Sequence, residues 1–489
     1  MKKILLSILL LALPLLANAD TVVIDGIYYN LIKKAKIAEV TSNPDKYKGN
    51  VVIPESIEYD DTYIVNAIGN AAFYDCEELV SVKLSNNISK IGDSAFFGCI
   101  NLSSLDLPES LVSIGSGAFS SCGISTLIIP NNLEIINDFC FMGCESLISL
   151  VISDNISSIG YMAFSDCPKL KTVKIGDGVT VIKDYAFSGC SSLDDLTIGA
   201  SLSNIGKWAF MNCSSLITLN LPDCLTTIEE RAFLNCIKLS SIEIPDNVTQ
   251  IGDYAFCGCE SLYSLSIGSG IEVINPSVFS GCTSLTNLII SDGVNEIKNF
   301  AFEDCCSLDN VVLPNSVVSV NVCAFNRCKS LKKLTLGSGI LSLDSEAFAE
   351  CVDLADVYCY AEYPPGASSD TFRDSYIEYA TLHVPASFID RYNNIVPWSK
   401  FGEIVPINNN VTTDVTNLSS IDMLIQNNGG IISISGLDAG TAINVYNTSG
   451  AMLGSATASA GITTVSTPLS SGDIAIVKIG GKSIKVLLQ

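Results

Sequence analysis

Histidine is nearly missing from this chain: one residue, His383, among 489. A histidine-paired nucleophile would have to use it, and its surroundings Ala380-Thr381-Leu382-His383-Val384-Pro385 read as an end-cap strand rather than a reactive site. Basic side chains are scarce too. With 27 Lys+Arg against 51 Asp+Glu the net charge is -24, which repels phosphate backbones and anionic lipid heads and excludes nucleic acid as an expected partner. Charged residues make up 16% and hydrophobic ones 48%, a balance that disfavours disorder. After the first residues no apolar run is long enough to span a bilayer. There is no zinc-protease helix motif, no phosphate loop and no carboxylate cluster of calcium-loop spacing. Carboxylates such as Glu229-Glu230 and Asp194-Asp195 are isolated in single segments, as solvated surface would be. The chain therefore reads as non-enzymatic, with no cofactor and no metal.

What the chain has instead is a repeat. Asp184-Tyr185-Ala186-Phe187-Ser188-Gly189-Cys190 recurs in near-copies whose phenylalanines are Phe73, Phe96, Phe119, Phe141, Phe164, Phe187, Phe210, Phe233, Phe256, Phe279, Phe302, Phe325 and Phe348. Successive copies are 23 residues apart, except the 22 between Phe119 and Phe141. A period of this size marks a solenoid, in which one coil cannot bury its own apolar side and stacks on its neighbours. Function then has to be sought on the surface of the stack.

Within a coil, Cys213-Ser214-Ser215-Leu216-Ile217-Thr218-Leu219-Asn220-Leu221-Pro222 shows the alternation of a strand with one buried face, stopped by proline. Apolar residues three apart, such as Val179 and Ile182, begin the return side, and Ala-Phe falls in a tight helical turn that Gly-Cys closes in many copies. The pattern Ile-Gly-x-x-Ala-Phe-x-x-Cys-x-x-Leu-x-x-Leu, seen at Ile91–Leu105, Ile205–Leu219 and Ile251–Leu265, resembles the BspA-type leucine-rich repeats. The resemblance covers about Ile68 to Leu354. It implies a leucine-rich-repeat solenoid, mainly β with short helical corners, of about 13 coils of 23 residues, and a role in adhesion or protein-protein interaction at the cell surface.

The ends carry other signals. Met1-Lys2-Lys3, the apolar run Ile4 to Leu16 and Ala17-Asn18-Ala19 have the parts of a secretory signal peptide over 1–19, whereas a membrane anchor would need ~20 apolar residues. Residues 20–61 lack the Phe/Cys register and read as the cap that covers the first coil. The repeats then occupy 62–375, with Phe372 as a degenerate last coil, and 376–407 form the closing cap. Tyr376, Tyr379, Phe388, Tyr392, Trp398 and Phe401 are expected to plug the open end there. A polar linker, 408–420, leads to alternating runs such as Ile443-Asn444-Val445-Tyr446 and Ile474-Ala475-Ile476-Val477, a small β-sandwich over 421–489. That domain resembles the C-terminal sorting domains of the type IX secretion route. The resemblance rests on Ile443-Asn444-Val445-Tyr446-Asn447 with Gly450, and on Lys482-Ser483-Ile484-Lys485-Val486 near the end. It departs from that pattern in having no opening Pro-Asn-Pro and in Asp473-Ile474 after Gly472. An export address that contacts the secretion machinery and a plain accessory sandwich are the two readings.

Three columns of side chains run through the repeat. Cysteines three residues after each Phe, from Cys76 to Cys351, are expected as small buried free thiols, while Cys305-Cys306, Cys257 and Cys359 are the expected oxidation sites. Outward strand positions include Thr172/Lys174, Asp195/Thr197, Thr218/Asn220 and Ser241/Glu243, a mostly small polar face whose one aromatic is Tyr358. A column two residues before the Phe holds Phe139, Met162, Tyr185, Trp208, Tyr254 and Phe300. It is either inter-coil packing or an exposed aromatic stripe suited to apolar protein segments or sugar rings. The expected partner is an extracellular protein, or alternatively a glycan held by the stripe. A hydrolase built on His383 is the weakest reading.

Overall fold

The computed structural model describes residues 20–407 and, beyond them, 425–428, 431–434, 442–447, 452–458, 463–468, 474–479 and 482–487. The chain divides into two compact units, 1–407 and 408–489. The leader over 1–19 and the linker over 408–420 lie outside the described residues.

Most coils of the first unit lay down two short strands that run parallel to those of a neighbour. Thr172–Lys174 pairs with Asp195–Thr197, and the return strand Val181–Ile182 pairs with Asn204–Ile205. Val173 points into the core while Thr172 and Lys174 point away, so the apolar alternation in the sequence is the pleat itself.

The corner expected as a brief helix is made of turns. The amides of Ala186, Ser188 and Cys190 bond back to the carbonyls of Lys183, Tyr185 and Phe187, whereas those of Tyr185, Phe187 and Gly189 reach Lys207, Ala209 and Met211 in the next coil. Alternate amides thus serve the turn and the stack, so both sets are satisfied. The cause is two left-handed residues, Tyr185 (φ 58°) and Gly189 (φ 77°), which break the right-handed run a helix needs. The same geometry explains the residue before most of the column cysteines, Ser121, Arg327 and Glu350 being the exceptions. Asp75, Gly98, Gly143, Asp166, Gly189, Asn212 and Asn235 all have positive φ there, and Gly, Asn and Asp tolerate it best.

The phenylalanines form one file. Rings stack coil on coil from Phe73–Phe96, 4.7 Å between centroids and 6° between planes, to Phe348–Phe372, 5.7 Å and 16°. Phe372 therefore completes a last coil. Each such side chain is fully or almost fully buried, which contributes ~1.5–3 kcal/mol, with ~0.5–1.5 kcal/mol more for each ring pair. The 22-residue step drops one residue after Cys122. Gly123 there passes so close to the coil before it that a Cβ would lie 2.3 Å from the Ile100 carbonyl oxygen.

Both ends of the file are covered. The N-terminal segment makes β1 (Asp20–Ile24), β2 (Ile27–Ile32), β3 (Ile37–Val40), β4 (Gly49–Val52) and β5 (Ser56–Glu58), and β6 (Thr62–Ile68) opens the repeats. β1 to β3 run antiparallel, β3 joins β6 in parallel, and Tyr47 lies on Phe73 at 4.5 Å. At the other end Trp398 and Phe401 set their rings edge-on to Phe372, 5.9 and 5.5 Å away. Tyr392 and Trp398 are buried with their polar tips bonded to the carbonyls of Ala361 and Pro365. The expected plug is smaller than its sequence list. Tyr376 and Tyr379 are 51% and 85% exposed and Phe388 is half-buried, because in the segment of the two tyrosines it is Ser375, Ile377 and Ala380 that turn inward.

The second unit has two antiparallel sheets, one of Ile425–Asn428, Ile431–Ile434 and Thr463–Ser466, the other of Met452–Thr457, Ala442–Asn447, Ile474–Ile479 and Lys482–Leu487. Ile432, Ile443, Val445, Val465 and Val477 are buried, the inward half of the alternation. Among the described residues no helix is long and apolar enough to cross a membrane.

Candidate interaction surfaces

The first left-handed residue of each corner carries its side chain to the edge of the stack. Phe139, Met162, Tyr185, Trp208 and Phe300 are half-buried there, and Tyr254 is 36% exposed. Their rings are not independent. Phe139 meets Tyr161 edge-to-face at 5.2 Å, Tyr161 meets Tyr185 likewise at 5.8 Å, and Tyr185 stacks on Trp208 at 4.8 Å and 10°. The Arg231 guanidinium then bridges Trp208 (5.7 Å) and Tyr254 (4.8 Å). Arg231 also pairs with Glu230, which Lys207 approaches at 3.6 Å.

Two members of this ladder escaped the sequence reading. Tyr161 sits three residues before its Phe rather than two, and Arg231 occupies the right column but is not aromatic. Phe300 stands apart, because the buried Ser277 fills the column in the coil between it and Tyr254. Carboxylates fix the backbone beneath: Asp138 Oδ1 accepts the Tyr161 N–H at 2.8 Å, and Asp184 Oδ1 accepts the Lys207 N–H at 2.9 Å. The consequence for binding is geometric. Tyr185 and Trp208 cover each other, and Arg231 covers a face of Trp208 and of Tyr254, so the ladder offers ring edges, hydroxyls and a guanidinium.

On the strand face, Lys174, Asp195, Thr197, Thr218, Asn220 and Glu243 are exposed, and Thr172 and Ser241 are half-buried. Lys174 lies beside Thr197 and Glu243 beside Ser266 in register. Thr218 is joined to Ser241 by a single bridge, so the ladder is interrupted between Asp195–Thr197 and Ser241–Ile244. The face is less polar than its sequence suggests. Ile128 and Ile289 are 72% and 47% exposed, and Ile148 and Tyr263 at the strand starts are 48% and 52% exposed. Towards the far end Tyr358 is sandwiched by Lys333 Nζ, 4.7 Å from its ring, and by His383, stacked at 4.1 Å and 2°. The His383 Nε2 pairs with Asp356 at 2.8 Å. The lone imidazole is thus engaged by its neighbours on the face. Many polar side chains are likewise engaged along the stack: the hydroxyls of Ser157, Thr180, Ser203, Thr226 and Thr249 each donate to a carbonyl of the coil before.

The sequence profile described as "BspA type Leucine rich repeat region (6 copies)" matches residues 66–194, 180–305 and 249–378, which together span more than half of the chain. The chain belongs to the BspA-type leucine-rich repeat family. Among solved structures, a leucine-rich repeat protein from Bacteroides ovatus is 28% identical, covers 74% of this chain and 99% of its own, and superposes with a TM-score of 0.60. A leucine rich cell surface protein from Faecalibacterium prausnitzii is 25% identical over 80% of this chain and 95% of its own, with a TM-score of 0.39. The pneumococcal vaccine antigen PcpA is 19% identical over 80% of this chain and 99% of its own, with a TM-score of 0.41. No curated protein matches the chain.

In this BspA-type stack the cysteine column has a stated job. From Cys99 onward each thiol of the column donates to the carbonyl of the Phe one coil earlier, as Cys99 does to Phe73 at 3.1 Å, Cys190 to Phe164 at 3.2 Å and Cys351 to Phe325 at 3.4 Å, while Cys76 Sγ accepts the Tyr47 N–H. Burial pushes the Cys236 and Cys351 thiols up from 9.0 to about 12, which keeps them protonated as donors. Of the thiols expected to oxidise first, Cys257 and Cys306 are half-buried, but Cys305 and Cys359 are buried, the latter 3.3 Å from the Tyr392 hydroxyl. The exposed thiol is Cys224, in the Pro222-Asp223-Cys224 bend that no column marks. Among the described residues no group of three or more His, Cys, Asp and Glu side chains is placed to hold a metal ion.

Proposed function

We propose that this BspA-type protein is exported and acts at or outside the cell surface as a non-enzymatic, adhesin-like interaction protein whose edge ladder takes a protein partner. The signal-like start Met1 to Ala19 and the family support the location. The observation that carries the choice of partner is the covering of ring faces between Tyr185, Trp208, Arg231 and Tyr254. A sugar ring stacks on an open aromatic face, whereas protein hot spots are built from Tyr, Trp and Arg packed against one another with polar tips at the rim. The second unit is proposed as an export address for the type IX route, on the strands Ala442–Asn447 and Lys482–Leu487.

The test is capture of the full chain on protein and glycan arrays beside its Trp208→Ala and Arg231→Ala variants. Protein capture weakened at least tenfold in both variants, with no glycan captured, is the expected result. Glycan capture that Trp208→Ala abolishes would overturn the reading in favour of a sugar-binding stripe.

A further inference from the structure

The strand face from Thr126–Ile128 to Asn287–Ile290 spans eight coils, and six of its exposed residues stand in mirror order about the middle, whereas Asp195 falls opposite Thr218 and Ile217 opposite Asp194. Counting outward from a line between Thr197 and Asn220, Lys174 stands at the same distance as Glu243, and Ile128 at the same distance as Ile289. At the strand starts the same line places Ile148 opposite Tyr263. Ile128, Ile289, Ile148 and Tyr263 are each between 47% and 72% exposed, and Lys174 and Glu243 are both exposed. A two-fold axis parallel to the strands reverses coil order and leaves strand position unchanged. It would therefore lay Lys174 on Glu243, Ile128 on Ile289 and Ile148 on Tyr263, each contact made twice.

We propose that two copies of this chain associate through their strand faces, antiparallel, about a two-fold axis that runs along the strands between Thr197 and Asn220. The partner is a second copy because the complementarity is internal: Lys174 with Glu243, and both apolar pairs, sit at self-matching places on one surface. The face also bows little, since the rings on the corner side repeat at 5.2 Å (Phe187–Phe210), close to the ~4.8 Å between strands. Eight coils at ~4.8 Å, each offering about four residues, give an area of about 500 Å² per copy. The total of about 1,000 Å² is at the lower end for a specific interface, so association in the micromolar range is expected. This surface is separate from the edge ladder, and the proposal stands or falls apart from the function proposed above.

Sedimentation velocity on the full chain tests it, in a Cys224→Ser background so that an intermolecular disulfide cannot mimic the contact. A dimer forming between about 1 and 100 µM is expected. Lys174→Glu or Glu243→Lys alone sets like charges together twice and weakens the dimer at least tenfold, and the Lys174→Glu/Glu243→Lys pair restores it to within about threefold. Ile128→Asp abolishes the dimer while leaving Tm unchanged, because the residue is on the surface. A monomer at 100 µM, single variants that dimerise like the parent, or a double variant as weak as the singles would each overturn the proposal.

Discussion

The thiol of Cys190 donates a hydrogen bond to the carbonyl oxygen of Phe164 in the preceding coil, at 3.2 Å. That one contact links the two columns that dominate the sequence. The ring fills the core, and the cysteine three residues after it satisfies the carbonyl of the ring below.

Burial of the column thiols gives a pH dependence. Burial raises the Cys236 and Cys351 thiols from 9.0 to about 12, so the folded chain holds these protons where the unfolded chain has released them. Their stabilising contribution is complete below about 9 and is lost as pH rises toward about 12. Thermal unfolding followed across pH 7 to 11 should show Tm flat to about 9 and then falling. A Tm that stays level to pH 11 would contradict the raised thiol pKa values that burial imposes.

Thiol reactivity should follow burial. In the native protein a maleimide is expected to label Cys224 within minutes, Cys257 and Cys306 more slowly, and the column only on denaturation, when all 19 react. Mass mapping of labelled peptides checks this order. Prompt labelling of Cys190 in the native chain would contradict it.

Left-handed corners predict a sharp cost for branching. Gly189 has φ 77°, and a Cβ there would meet Asp166 Oδ1 at 2.6 Å. Gly189→Val is expected to destabilise by about 2 kcal/mol and Gly189→Asn by under about 1 kcal/mol, measured by urea unfolding.

How much of this was legible in the sequence follows from what burial forces to repeat. Phe187 and Cys190 recur because one buried site recurs, so the file, the coil length and the terminal covering could be read directly. The corner could not. Tyr185 and Trp208 carry no local signal for left-handed backbone, and the Ala-Phe pair beside them favours helix on propensity. The edge ladder was half legible, since Tyr185 and Trp208 share a column but Tyr161 joins from the next position and Arg231 through its charge. The exposed Ile128 and Ile289 were visible as outward strand positions, yet their mirror placement emerges from the parallel register of the coils.

Coils are stable through their neighbours' rings, and hydrogen exchange on the full chain with and without Phe210→Ala reads that dependence residue by residue. Phe210 stacks on both Phe187 and Phe233, at 5.2 Å each. Its removal is expected to cost about 3–5 kcal/mol and to lower protection at the Phe187 and Phe233 amides on either side, most steeply beside the gap and fading with distance. Loss of protection confined to residue 210, with the flanking coils exchanging as before, would contradict the account.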